Sequence, residues 1–123
     1  MREILFHGKR IDNGEWVEGN LFVSDTDGRT YILVGTRIFT IEWEVDPSTV
    51  CQFTGRNDKN GKRIFEGDIC KIDNLIYKVE FKYSEWVFTI LSKKVYCFPA
   101  FHSHCGEYCE IIGNIHDNPE LLV

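Results

Sequence analysis

The sequence lacks the features of membrane-spanning, exported and long-helical proteins. Its apolar runs fall well short of the roughly 20 residues that cross a bilayer, and residues 1–10 contain no signal-peptide core. Apolar residues nowhere recur at the spacing of an amphipathic helix over several turns. We therefore expect a cytoplasmic protein with little helix and no membrane partner.

The chain also lacks an excess of positive charge. Its 14 Lys and Arg residues against 19 Asp and Glu residues give a formal net charge of −5 at pH 7. Such a field repels phosphate, so nonspecific binding to nucleic acid has little electrostatic driving force. The charge balance predicts that nucleic acid is not a partner.

A disulfide framework is not indicated either. The five cysteines are an odd number in a chain without an export signal, so we predict reduced thiols. They are Cys51, Cys70, Cys97, Cys105 and Cys109.

Aromatic side chains, in contrast, are abundant. Nine Phe, five Tyr and three Trp in 123 residues favour pleated, half-buried strands over helices. The length fits one core, so we predict a single domain over residues 1–123, with a subdomain seam at residues 46–48, where Pro47 ends a strand pattern.

Turn signals divide the chain into antiparallel hairpins. Asn-Gly and Asp-Gly reach the positive φ angles that tight hairpin turns require. The signals are Asp12-Asn13-Gly14, Asp25-Thr26-Asp27-Gly28 and Asp58-Lys59-Asn60-Gly61. The sequence thus predicts a mostly β fold, possibly α+β, built of antiparallel hairpins.

Between the turns, apolar residues alternate with polar ones, as in half-buried strands. The alternating sets are Phe39, Ile41, Trp43 and Val45, then Tyr77, Val79, Phe81 and Tyr83, then Trp86, Phe88 and Ile90. Residues 110–115 predict a last strand, and Asn118-Pro119-Glu120 predicts one closing helical turn.

Four segments combine these turn glycines with acidic neighbours and anchoring aromatics. They are residues 2–10 with 14–17, residues 52–55 with 58–62, residues 64–69, and residues 112–115 with 118–122. In this combination the chain resembles the YopX family of phage and prophage proteins, although residues 24–44 and 92–109 match little. The resemblance implies a phage or prophage origin and a β-rich fold, and it implies no catalytic residue.

A cluster of thiols and imidazoles invites a metal site: Cys97, His102, His104, Cys105 and Cys109. Structural zinc sites usually join two close pairs from separate segments, whereas these residues share one stretch without a C-x2-C pair. Catalytic Cys and His residues likewise usually come from distant parts of a chain. We predict neither a zinc site nor a thiol nucleophile here, and no cofactor or enzyme activity.

Glu66 and Asp68 flank Gly67 and could act as paired carboxylates for acid–base work or for a divalent cation. The simpler interpretation is a turn that enters a strand, as in small SH3-like barrels where a Gly-Asp pair starts a strand. We therefore predict an SH3-like small barrel in the C-terminal half and no catalytic role for this pair.

A cationic hairpin and several rings form the predicted interaction surface: Arg56, Lys59, Lys62, Arg63, Tyr77, Tyr83 and Trp86. Such a surface is typical of small nucleic-acid-binding β-barrels. The same residues are also typical of an ordinary charged hairpin tip that binds nothing, and the chain as a whole is acidic. Open sheet edges and surplus rings favour another class of function, a non-catalytic interaction module or self-associating accessory protein. The expected partners are a second copy or a host protein, the alternative is a nucleic-acid-binding barrel, and a metal or thiol enzyme is the least favoured class.

Overall fold

The computed structural model describes residues 4–36, 38–72, 75–91, 97–99 and 108–122. The chain divides into two compact units, Met1–Phe53 and Thr54–Val123. This boundary lies shortly after the predicted seam, where Pro47–Thr49 form a single 3₁₀ turn. The Asp46 carboxylate caps that turn by accepting a hydrogen bond from the Ser48 N–H.

The first unit is an antiparallel sheet of consecutive hairpins. Its strands are β1 (Phe6–Lys9), β2 (Trp16–Val23), β3 (Thr30–Gly35), β4 (Thr40–Glu44) and the start of β5 (Cys51–Asn57), in the spatial order β4-β3-β2-β1-β5. Gly14 and Gly28 close the first two hairpins with φ angles of 75° and 71°, which residues with a side chain rarely adopt. These two hairpin predictions are confirmed.

The residues at the C-terminal end of β4 pair with the segment that follows β1. Arg10 and Val45 form an isolated antiparallel bridge, and the Ile11 N–H donates to the Glu44 carbonyl at 3.0 Å. Val45 is 1% exposed and Ile32 of β3 is fully buried, so the core of this unit lies near the returning end. Only the C-terminal end of β4 takes part in this closure.

The second unit contains the rest of the strands. β6 (Arg63–Phe65) lies beside the end of β5, and a five-stranded antiparallel sheet has the order β10-β9-β8-β7-β11. The strands of this sheet are β7 (Asp68–Ile72), β8 (Leu75–Lys82), β9 (Glu85–Ile90), β10 (Cys97–Pro99) and β11 (Glu110–Asn114). Its core contains Ile64, Cys70, Tyr77, Val79, Phe88 and Cys109.

The structure confirms the mostly β prediction. The helical segments with described bounds are the 3₁₀ turns Pro47–Thr49 and Pro119–Leu122, the second of which lies where Asn118-Pro119-Glu120 predicted a closing turn. No helix in the described part of the chain is long and apolar enough to cross a membrane. The described strands of the second unit form a sheet whose two end strands are not paired with each other. The SH3-like barrel therefore stays a prediction.

The position of Tyr83 corrects the strand alternation predicted for residues 77–83. β8 ends at Lys82, and Tyr83 and Ser84 form the turn to β9 with φ angles of 54° and 64°. Two-residue turns with both φ angles positive match the twist of the strands they join. The turn geometry therefore removes Tyr83 from the strand face on which Tyr77 and Val79 lie.

Candidate interaction site

The four predicted cations share one hairpin. Arg56 lies in β5, Lys59 in the turn, Lys62 just after it and Arg63 at the start of β6, and all four are exposed. Lys59 is partly neutralised, because its Nζ lies 3.8 Å from Glu110 Oε1.

A buried carboxylate holds this hairpin in place. Asp58 is 5% exposed, and its Oδ1 accepts hydrogen bonds from the N–H groups of Asn60 and Lys62, both at 2.9 Å. Its Oδ2 accepts a third, at 3.1 Å, from the Ile111 N–H in β11. The sequence indicates a turn at Asp58, but no local pattern indicates that this carboxylate ties the turn to a strand far along the chain.

The three predicted rings have different environments. Tyr77 is 5% exposed and packs against Phe88 with ring centroids 5.8 Å apart, so it belongs to the core and not to the predicted surface. Tyr83 is 85% exposed at the β8–β9 turn. Trp86 is half-buried and meets Phe81 edge to face at 5.0 Å.

Lys59 of the cationic hairpin and the exposed ring of Tyr83 lie far apart in the second unit. Lys59 contacts Glu110, which is paired with Lys71 of β7, and Lys71 is paired with Ile76 of β8. From Ile76 to Tyr83 the chain rises about 3.3 Å per residue, which places Tyr83 roughly 20 Å from Ile76 along β8. The structure therefore separates Lys59 from Tyr83 and places Tyr77 in the core, whereas a shared surface of the other predicted residues stays a prediction.

Glu66 and Asp68 do not form a symmetric carboxylate pair. Asp68 opens β7, is 5% exposed and accepts a hydrogen bond from the Phe65 N–H at 2.8 Å, while Glu66 lies half-buried in the preceding turn. Burial raises the pKa of Asp68 to about 7, although the hydrogen bond from the Phe65 N–H and the charge of Lys62 both lower it. Among the described residues, no group of three or more His, Cys, Asp or Glu side chains could hold a metal ion.

Two of the cysteines form a buried thiol pair. Cys70 and Cys109 are fully buried, and the hydrogen bond between them, together with burial, raises the pKa of Cys70. A thiol with a raised pKa is a poor nucleophile, because the thiolate is the reactive form. His102, His104 and Cys105 lie outside the described residues, and Cys97 is described only as part of β10, so the zinc and thiol-nucleophile predictions stay predictions.

The N-terminal half of β4 offers a backbone edge. Val45 N–H donates to the Thr30 carbonyl, and Thr36 N–H donates to the Phe39 carbonyl. Because hydrogen-bonded pairs alternate along an antiparallel ladder, Ile41 also bonds toward β3, whereas the backbone groups of the intervening residues point away from β3. These outward-facing residues are Thr40, Glu42 and Glu44, and the Glu44 carbonyl already accepts from Ile11.

Exposed apolar side chains flank this edge. Ile38 is 96% exposed, Phe39 65% and Ile41 38%, and Thr40 and Glu42 are exposed as well. We call residues 38–42 the β4 edge. It combines apolar side chains with backbone donors and acceptors that no described residue bonds, which is the composition of a strand-addition site.

Trp43 directly follows the β4 edge in the chain, and its ring is packed against a charged side chain. By the strand alternation it shares a face with Phe39 and Ile41. The Arg10 guanidinium lies 3.6 Å from its ring centroid, and Asp12 holds that guanidinium through bonds at 2.9 and 2.6 Å. The alternation of β4 is visible in the sequence, but its place at the end of the sheet order is not, because no local pattern specifies strand order.

Comparisons with known proteins identify a family and a fold. The model of the YopX protein family matches residues 5–123. The crystal structure of protein EF1440 from Enterococcus faecalis is similar to this chain with a TM-score of 0.62 and 21% sequence identity, over 100% of both chains. At that identity the likeness shows the fold alone, and the search of curated proteins gives no significant match.

Proposed function

The chain belongs to the YopX family, and from this premise we propose that it is a non-catalytic interaction module that binds an extended polypeptide segment along the β4 edge. The observation that carries the proposal is the outward-facing backbone of Thr40 and Glu42 beside the exposed side chains of Phe39 and Ile41. An added strand would bond to the first pair and cover the second.

Strand addition suits this edge energetically. Each backbone hydrogen bond contributes about 0.5–1.5 kcal/mol net, and a register that uses both outward residues forms several. Burial of Phe39 and Ile41 adds roughly 25 cal/mol per Å² of apolar surface. The sum corresponds to a moderate, reversible affinity after the cost of association is subtracted.

The charge of β4 sets a preference among segments. Glu42 and Glu44 lie on the face opposite to Ile41. Opposite charges across a strand pair stabilise it and like charges destabilise it, so Lys or Arg is favoured opposite Glu42. The family assignment and the absence of a described spanning helix are consistent with a phage or prophage accessory protein of the bacterial cytoplasm, whose partner is a host protein or a second copy.

A peptide selection tests this function. Random linear peptides are selected against the protein, and their affinity is measured for the wild type and for Glu42→Pro and Glu42→Ala. The proline removes an N–H that points away from β3, so β4 keeps its ladder with β3 but loses a donor to the added strand. We expect peptides with alternating apolar residues and a Kd at least about tenfold weaker for Glu42→Pro. The loss for Glu42→Ala should be smaller, at most about fivefold, because this variant keeps the N–H and loses only the charge.

Circular dichroism confirms that both variants are folded. Peptides that bind Glu42→Pro as tightly as the wild type, or a selection that yields no binder, would contradict the proposed function.

The four exposed cations on the β5–β6 hairpin keep a nucleic-acid-binding barrel as the second candidate. We expect no appreciable binding of single-stranded or duplex DNA at physiological salt in an anisotropy titration, because the net charge of −5 opposes counterion release. Tight binding with a steep salt dependence, abolished by Lys62→Glu with Arg63→Glu, would reverse this ranking.

A further inference from the structure

Resting on the proposed function, we infer that the segment bound along the β4 edge is the β4 edge of a second copy, paired antiparallel about a two-fold axis at Ile41. The inference follows from which backbone groups are available and from the side chains that each register would bring together.

The available groups restrict the register. The Ile11 N–H already bonds to the Glu44 carbonyl. Among the described residues, none bonds the outward backbone groups of Thr40 and Glu42, so these two residues of β4 offer both groups to an added strand. In a two-fold pair centred on Ile41, Thr40 lies opposite the partner's Glu42 and Glu42 lies opposite the partner's Thr40. Both are hydrogen-bonded pairs, so four backbone hydrogen bonds form and the outward groups of both residues are satisfied.

The same register gives compatible side chains. Ile41 faces the partner's Ile41 as a closely spaced non-hydrogen-bonded pair, and Phe39 faces the partner's Trp43 on the same side of the sheet. The pairing covers Phe39 and Ile41, which are 65% and 38% exposed in the monomer. No Glu lies directly opposite another Glu.

Neighbouring two-fold registers are less favourable. A pair centred on Glu42 places that carboxylate opposite the partner's Glu42, which like-charge repulsion destabilises. A pair centred on Thr40 sets Thr40 opposite itself and places the apolar Ile38 opposite the partner's Glu42. The β4 edge is therefore self-complementary in one register, which favours a closed dimer over an open assembly.

A charge-swap experiment tests the register. Ile41→Lys and Ile41→Glu each place two like charges opposite each other at the two-fold axis, whereas a mixture of the two variants places opposite charges there. We expect the wild type to sediment mainly as a dimer at about 10–100 µM, each variant alone to associate at least about tenfold more weakly, and the mixture to recover heterodimer. Recovery in the mixture also shows that both variants are folded.

Phe22→Lys is the matched control, because Phe22 is an exposed ring on β2, 44% exposed, away from the β4 edge. It should leave the dimer unchanged. A monomeric wild type at these concentrations, or a mixture that associates no better than its components, would overturn the self-pairing inference. If the self-pairing inference failed in this way but Glu42→Pro still lost peptide binding, the proposed peptide-binding function would stand. If peptide binding were unaffected by Glu42→Pro, the proposed function would be wrong as well.

Discussion

Replacing Asp58 with Ala should lower the free energy of unfolding by about 3–5 kcal/mol, because three backbone N–H groups lose a charged acceptor and hydrogen bonds to charged groups contribute roughly 1.5–3 kcal/mol each. The donors are Asn60, Lys62 and Ile111, and the carboxylate is 5% exposed. Because the carboxylate is buried, an Ala side chain leaves these donors without the acceptor that joins the turn to β11. The change is a large part of the roughly 5–15 kcal/mol that stabilises a domain.

Urea unfolding followed by circular dichroism measures this loss. Asp58→Asn keeps one acceptor oxygen but turns an NH₂ group toward the remaining donors, so we expect an intermediate loss of stability. Asp25→Ala is the matched control, because Asp25 is exposed in a turn, and its removal should change stability by less than about 0.5 kcal/mol. If Asp58→Ala unfolded within error of this control, the anchoring role of Asp58 would be disproved.

Asp68 should make the protein less stable as the pH rises from about 4 to about 7. Burial raises its pKa from 3.8 to about 7, so the folded state binds this proton more tightly than the unfolded state. A group with a raised pKa contributes stability that is present below its unfolded pKa and is lost as pH rises through its folded pKa. The difference between 3.8 and about 7 corresponds to roughly 4 kcal/mol when the whole window has been crossed.

Asp68→Asn isolates this effect. The Asn side chain retains an oxygen for the Phe65 N–H and does not titrate, so the variant should match the wild type near pH 4 and exceed it in stability by up to about 4 kcal/mol near pH 8. Asp27→Asn is a control of opposite sign, because hydrogen bonds from the Arg29 N–H and the Tyr31 hydroxyl lower the pKa of Asp27. The opposite result is that the free energies of unfolding of the wild type and of Asp68→Asn change in parallel between about pH 4 and about pH 8. That result would show that Asp68 is ionised in the folded protein throughout this range.

The residues that carry the family resemblance are structural in this protein. Asp58 anchors a hairpin, Asp68 closes a turn, and the His7 ring packs against Trp16 with centroids 4.3 Å apart. The β4 edge lies within the residues that the family model matches, but outside the four segments on which the sequence resemblance rests. We expect the partner of the β4 edge to be particular to this chain.

The sequence by itself determined most of the local structure. Asn-Gly and Asp-Gly signals placed the turns at Gly14, Gly28 and Gly61 because glycine reaches positive φ without steric cost, and all three have φ between 71° and 83°. Period-two alternation placed β4, β8 and β9 because side chains of a strand point alternately to its two faces. These signals depend on neighbouring residues, which the sequence displays directly.

Only the tertiary structure decided which residues meet and which remain exposed. It moved Tyr77 into the core, separated Tyr83 from Lys59, and brought Asp58 to Ile111 across more than fifty residues of chain. It also left β4 at the end of the sheet order, where Thr40 and Glu42 face outward. Strand order and burial depend on long-range pairing and on the twist of each sheet, and alternation within one strand is the same at an edge as in the middle.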